Sequence, residues 1–311
     1  MQSYGIDLAK EKFDVSFFDL TSKKVSNQPS HKVVTNNLKG IGKFFKGLPS
    51  DAVLVAEHTG VYGDTLLKCC MDCNVKIAFV GGYVIHRYRA TPDRAKTDVL
   101  DCALLRDFGE RYPDKLKYKT FPEEALYELR QLARHREMLV EQRKQLITAD
   151  KSEDCRPIRS LAVKRSMDRI KEMLDTEIAE TEKEMLKVIN GHESIHHNYE
   201  LVKSVDGVGL ITAVELLVKT ENFTKKGAHI SKIGNRRSKT LLYICAESAR
   251  LHNKEIKLYY ERRTLIDKKP RHYVLNAIAN KLLRIIFTLV EKGEYYDANF
   301  IRQDPRVVKY N

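Results

Sequence analysis

The chain has 311 residues, 31% of them charged, with 55 Lys and Arg against 42 Asp and Glu, no tryptophan and a formal net charge of +13. That length holds two or three domains with cores of their own and excludes a miniprotein dependent on disulfides, while the basic excess favours an anionic partner, nucleic acid being the commonest large one. No signal peptide precedes the first strand and the apolar runs fall short of the roughly 20 residues of a membrane span, so a cytoplasmic protein with reduced cysteines and no membrane partner is expected.

Residues 3–20 read as a hairpin that turns at Ala9-Lys10-Glu11-Lys12 and returns through Phe13-Asp14-Val15-Ser16-Phe17-Phe18. Asp7 sits inside the first strand beside Tyr4 and Ile6. There it either meets a positive partner, commonly a divalent cation, or stays solvated at the strand end. A third strand is predicted over 32–35, and Asn36-Asn37 caps a helix with Leu38, Ile41, Phe44 and Phe45 on one face. The apolar run 52–57 stops at an acid, Glu57, as a central strand would. A helix over 62–70, a strand over 75–80 and a helix over 93–108 follow, so this half is α/β. Cys70 and Cys73 form a C-x-x-C with no second pair at zinc spacing, which favours buried reduced thiols.

From Pro122 the pattern changes to leucines and charges, with Leu126, Leu129, Leu132, Leu139 and Leu146 on one long helix. Met167, Ile170, Leu174, Ile178, Thr181, Met185 and Val188 then recur in the three- and four-residue steps of a coiled-coil seam, and Cys155-Arg156-Pro157 separates the two runs. What covers the seam is either the first helix, folded back as a hairpin, or a second chain. Beyond Gly191, Gly207-Val208-Gly209 lies between two helical runs, where it either offers backbone N–H groups to a phosphate or simply connects helices. Residues 225–239 contain Lys225, Lys226, Lys232, Arg236, Arg237 and Lys239, a basic loop that binds a nucleic-acid backbone or is merely solvated. Helices over 238–250 and 273–291 complete a small helical domain.

Asp98 and Asp101 stand three residues apart on a predicted helix, hence on one face. With Asp7 and Glu57 they make four carboxylates from separate elements of one domain, the donor set that two Mg²⁺ ions need for phosphodiester chemistry. Lys96 beside the pair touches a phosphate or offsets its charge. His58, next to Glu57, is a candidate for proton transfer, although a strand neighbour points to the opposite face.

Gly5-Ile6-Asp7, Ala56-Glu57-His58-Thr59-Gly60 and Lys96-Thr97-Asp98-Val99-Leu100-Asp101 resemble the Asp-Glu-Asp-Asp transposases of the insertion-sequence 110 family. Val205-Asp206-Gly207-Val208-Gly209 and Ile230-Ser231-Lys232-Ile233-Gly234-Asn235 are similar to that family's C-terminal motifs. The resemblance implies a RuvC-like, ribonuclease-H-type α/β nuclease domain over 1–115, a coiled-coil helical linker over 116–192 and a small all-α C-terminal transposase domain over 193–311. It implies that Asp7, Glu57, Asp98 and Asp101 hold Mg²⁺. It further implies a recombinase that moves an insertion sequence, binds double-stranded DNA and a structured guide RNA, and acts as a dimer or tetramer through the coiled coil. Lys96, Gly207, Gly209, Lys225, Lys226, Lys232, Arg236 and Arg237 are the nucleic-acid contacts expected on this reading.

The chain departs from the family at one place. Members carry a serine nucleophile in a Ser-Gly context between a Phe-ended helix and the Ile-Ser-Lys segment. This chain has no Ser-Gly dipeptide and passes almost directly from Phe223-Thr224 to Gly227, so the C-terminal domain is shortened near 224–227. Ser231 belongs to the later segment and does not inherit the nucleophile's role. Two alternatives therefore stand beside a working transposase: a metal-dependent junction nuclease that needs only the acidic quartet, and a nucleic-acid-binding relic that regulates intact relatives.

Overall fold

The computed structural model describes residues 2–19, 29–57, 60–88, 97–224 and 234–298. The chain divides into two compact units, Met1–Phe121 and Pro122–Asn311.

The first unit is built on a mixed five-stranded sheet, with β1 (Gln2–Leu8), β2 (Lys12–Phe17), β3 (Ser30–Thr35), β4 (Ala52–Glu57) and β5 (Lys76–Val80) in the order β3-β2-β1-β4-β5. β1, β2 and β3 form an antiparallel meander, whereas β4 and β5 run parallel to β1. The helices are α1 (Leu38–Phe45), α2 (Asp64–Asp72), α3 (Gly82–Tyr88) and α4 (Asp98–Arg111). The expected helix over 62–70 begins instead with a 3₁₀ turn, Gly60–Gly63, and α4 runs three residues beyond the predicted end at 108. Asn37 caps α1 as expected, its Oδ1 accepting from the Gly40 N–H at 2.8 Å.

The period-two pattern of β1 separates two layers. Tyr4, Ile6 and Leu8 enter one core with Phe13, Val15, Ile41, Phe44, Leu54 and Leu66. The opposite face carries Ser3, Gly5 and Asp7 and receives α4, whose Leu104, Leu105 and Phe108 join Val53, Val55 and Ala78 in a second core. Small residues make that seat possible. A Cβ on Gly5 would collide with the Cys102 carbonyl oxygen and the Arg106 backbone nitrogen, and one on Gly109 would lie 2.7 Å from Val55 Cγ2 and 2.9 Å from Ser3 Oγ. Cys102 thus lies over Gly5 and Gly109 over Ser3, so α4 runs antiparallel to β1 and brings its first turn toward the end of β1 that carries Asp7.

The described part of the second unit is helical throughout. It contains α5 (Glu124–Glu153), α6 (Leu161–Asn190), α7 (Glu193–Lys203), α8 (Leu210–Thr220), α9 (Arg236–His252), α10 (Lys254–Glu261) and α11 (Arg271–Lys292). α5 and α6 pack along each other, with Leu129, Ala133 and Leu139 of one and Leu174, Thr181, Met185 and Ile189 of the other buried. Arg136 pairs with Glu182 at 2.5 Å and Arg143 with Asp175, while Asp150 binds Arg159 and Lys171 where the chain doubles back. The C-terminal part of the α6 seam, Leu174, Thr181 and Met185, is therefore covered within this chain by α5, while Ile170 stays exposed. α11 overturns the expectation that no apolar stretch approaches the length of a membrane span: its 22 residues are long and apolar enough by composition. Its Val274, Leu275, Ile278, Leu282 and Ile286 go into the core of the unit, where α11 packs on α7 and α9.

Gly5→Ala is expected to destabilise the first unit by about 3 kcal/mol or more, because backbone rather than a flexible side chain must yield. Gly42→Ala, in the exposed interior of α1 with nothing within 4 Å of the added methyl, is expected to stabilise it by about 0.5–1 kcal/mol. Urea denaturation of both variants checks the pair; a tolerated alanine at Gly5 would contradict the close seat of α4.

Candidate active site

Asp7 lies on the α4-facing side of β1. Gly5 pairs with Val55 and Ile6 with Ala56 in the parallel β1–β4 ladder, so the next step sets Asp7 beside Glu57, the last residue of β4. Both side chains leave the same face at the carboxyl ends of adjacent central strands. Gly82, the first residue of α3, clears the space for Glu57, since a Cβ there would strike its Oε1. Asp98 and Asp101 occupy the first turn of α4, where the unpaired N–H groups of a helix N-terminus favour negative charge. Thr97 caps that turn, its Oγ1 accepting from the Leu100 N–H at 3.3 Å.

These carboxylates share one electrostatic field. The Asp7 carboxyl is pushed up from 3.8 to about 6, first by burial and then by the charges of Asp101, Asp98, Asp14 and Glu57. Three of the four acids singled out in the sequence, Glu57, Asp98 and Asp101, thus act electrostatically on the fourth, Asp7. Among the described residues no three His, Cys, Asp or Glu side chains are close enough to clasp a metal ion. The donor set is one of hard oxygens, which suits Mg²⁺ or a similar divalent cation. Cys102, nearby, is not a competing soft ligand: burial and the charges of Asp14 and Asp7 push its thiol up to about 12, and its Sγ donates to the Val99 carbonyl at 3.2 Å.

Two residues on the same face were not recognised from the sequence. Asp14 pairs in register with Asp7 across the hairpin and is only 6% exposed. The symmetry of the Ala9–Lys12 turn could have found it, because a two-residue loop at Lys10-Glu11 sets 8 against 13 and 7 against 14. Arg106 is 4% exposed and lies on the same face, with Nη1 donating to Ser16 Oγ at 2.8 Å and Nη2 to Asp107 Oδ1 at 2.6 Å. Its guanidinium stacks 4.3 Å from the Phe18 ring centroid. No local pattern announces it, since an arginine on a helix reads as solvated until the helix is laid on the sheet.

Lys96, Lys225, Lys226, Lys232 and His58 lie outside the described residues. Gly207 has φ +89° and presses its turn against α9, where a Cβ would come 2.6 Å from Ala249 N and Cys245 O. Its glycine is thus required by packing. Gly209 is exposed at the N-cap of α8 with open space around it, and Arg236 is exposed at the start of α9. Arg237 is engaged within the unit: its guanidinium pairs with Glu137, lies 3.4 Å from the buried Glu215 carboxylate and donates to the Ala133 carbonyl at 3.4 Å. Ser238 Oγ adds a 2.7 Å hydrogen bond to Glu215. Arg237 thus satisfies a buried acid rather than facing outward as a free cation.

Residues 4–152 match the family model of the DEDD transposases of insertion sequence 110, a transposase family. None of the curated proteins compared with the chain matches it.

Asp7 holds its proton more tightly in the folded chain than in the unfolded one, so the folded state binds more protons between about pH 4 and pH 6. In cation-free buffer stability is therefore expected to fall as pH rises through that window and to stay low above it. Asp7→Asn removes the buried charge and is expected to raise stability at pH 7 by roughly 1–2 kcal/mol after solvent screening, with the gain vanishing by pH 4. Denaturation at both pH values reads this directly; a variant no more stable than the parent at pH 7 would contradict the shared field. In the second unit, Arg237→Ala is expected to cost about 2–4 kcal/mol by stranding Glu215, against roughly 0.5 kcal/mol or less for Arg236→Ala. Equal thermal melting shifts for the two would remove the distinction between them.

Proposed function

We propose, from the match of residues 4–152 to the transposase family of insertion sequence 110, that the chain is a DNA recombinase whose cleavage centre is the acidic face of the first unit. The observation that carries this is the field on Asp7. Burial first, and then four carboxylates from β2, β4 and α4, push the Asp7 carboxyl up to about 6, and a fold selected for stability alone would not gather such charges around a buried acid. DEDD-type transposases work with a divalent metal, and Mg²⁺ held by Asp7, Glu57, Asp98 and Asp101 would supply charge to activate an attacking oxygen and stabilise a leaving one on phosphorus.

The chain's own residues prepare that task. Asp98 and Asp101 stand in the N-terminal turn of α4, where a helix N-terminus favours negative charge, and both act electrostatically on Asp7 of β1. Gly5 sets the depth of α4, and Gly82 leaves the Glu57 carboxylate unobstructed. In the second unit we read the α5–α6 pair as the family's coiled coil, through which chains associate, and α7 to α11 as its all-α C-terminal domain. Gly209 and Arg236, exposed there, would meet a phosphodiester backbone together with Lys96, Lys225, Lys226 and Lys232. Double-stranded DNA and a structured guide RNA are the partners this reading carries, with sequence choice delegated to base pairing.

A second reading has an observation of its own. The absence of any Ser-Gly dipeptide removes the family's context for a covalent serine linkage, whereas metal-dependent scission needs the acids alone. The test is to purify the protein with RNA from cells carrying its native flanking DNA and to assay that DNA for Mg²⁺-dependent cleavage and for a covalent protein–DNA adduct. Cleavage with an adduct is expected of the recombinase, and Asp98→Asn should abolish it by at least about 100-fold. Cleavage without an adduct would favour a junction nuclease. Bound RNA with neither product would overturn both and leave a nucleic-acid-binding regulator.

A further inference from the structure

Asp14 has no place in the quartet drawn from the sequence, yet it is more buried than Asp7. It stands directly opposite Asp7 in the β1–β2 ladder, so both side chains leave the same face of the sheet. Like charges opposed across an antiparallel pair are destabilising, and an aspartate is rarely buried without a partner. The partner comes from β3. His31 pairs with Ser16, which puts it diagonal to Asp14 on the same face, and its Nε2 lies 2.7 Å from Asp14 Oδ1. Ser16, next to Asp14 on that face, is held by Arg106 from α4, and the protonated Cys102 thiol of α4 lies within the field of both Asp14 and Asp7. One carboxylate oxygen thus lies at hydrogen-bond distance from the imidazole of an outer strand. Hydrogen bonding from an outer partner is the usual way a carboxylate near a metal is oriented.

We propose that Asp14, held by His31, is a fifth carboxylate of the acidic centre, a positioning residue whose charge and orientation opposite Asp7 set how tightly the centre takes a divalent cation. This rests on the metal-centre reading of Asp7, Glu57, Asp98 and Asp101. A stabilising role alone does not account for the pair. Exchanging Asp14 for a neutral residue would relieve the repulsion with Asp7, and a half-exposed histidine on an edge strand adds at most about 1 kcal/mol as an ion pair.

The experiment is Mn²⁺ titration of the full chain at constant pH, read by the electron-paramagnetic-resonance signal of free Mn²⁺, with a thermal melt of each variant in parallel. Asp7→Asn is expected to abolish binding. Asp14→Asn should weaken it by about 10- to 100-fold without lowering the melting temperature, as loss of an outer-shell carboxylate does. His31→Ala should weaken it several-fold, and His31→Gln, which restores an N–H donor toward Asp14, should recover most of the loss. Asp114→Asn, an exposed acid in the same unit, should match the parent. Parental affinity in Asp14→Asn alongside loss in Asp7→Asn would overturn the inference and leave the metal centre standing. Undiminished affinity in His31→Ala would overturn the role given to His31. A parent chain that takes no Mn²⁺ would overturn the inference and the metal-centre reading together.

Discussion

The arrangement of the first unit depends on the contact between α4 and β1 at Gly5. Helices ordinarily pack on sheets through a layer of side chains, but here the backbone of α4 at Cys102 and Arg106 rests where a methyl group would be. A helix brought that close carries its first turn into range of the strand it crosses. Asp98 and Asp101 bear on Asp7 because Gly5, two residues before Asp7, has no side chain. With any other residue at position 5 the helix would ride higher, and the acids of α4 would no longer share a field with the acids of β1 and β4.

That gathering of charge works against folding and is offset locally. The N-terminus of α4 favours Asp98 and Asp101, His31 binds Asp14, and Arg106 places a permanent cation on the same face through Ser16. The Asp7 carboxyl rises, first because it is buried and then because of the like charges around it. On the proposed reading, a divalent cation would relieve this repulsion, and the site would gain affinity for it from the repulsion removed. The carboxylates bordering Asp7 are therefore better understood as stored electrostatic energy than as stabilising contacts.

The second unit solves the opposite problem. Its long helices are rich in charge, and most pairs, such as Lys183 with Glu180 and Lys187 with Glu184, are exposed and contribute little. The exception is Glu215, 6% exposed on α8 and satisfied by Arg237 and Ser238 from the first turn of α9. Gly207 lets the α7–α8 turn sink against α9 on its other side. Together they lock α8 to α9 by one buried charge pair and one close backbone approach, both of which penalise alternative packings.

Much was legible in the sequence because it is written in neighbours. Period-two apolar residues marked β1 and β4, Asn37 marked the start of α1, and a run ending in Glu57 marked a strand edge. Asp7, Glu57, Asp98 and Asp101 stood out because acids beside apolar runs need a reason, and their flanks resembled a family. Other features depend on which surfaces meet. Asp14 joins the acids only through hairpin register, Arg106 only because α4 lies on the sheet, and Arg237 becomes an anchor only when α5, α8 and α9 converge on Glu215. α5 covers Leu174, Thr181 and Met185 of the α6 seam for the same reason. Local chemistry and periodicity by themselves marked most strands and the long helices and drew attention to Asp7, Glu57, Asp98 and Asp101; the tertiary structure alone set Asp14 opposite Asp7 with His31 and Arg106 on the same face, because burial and field depend on distances between residues that the chain order keeps apart.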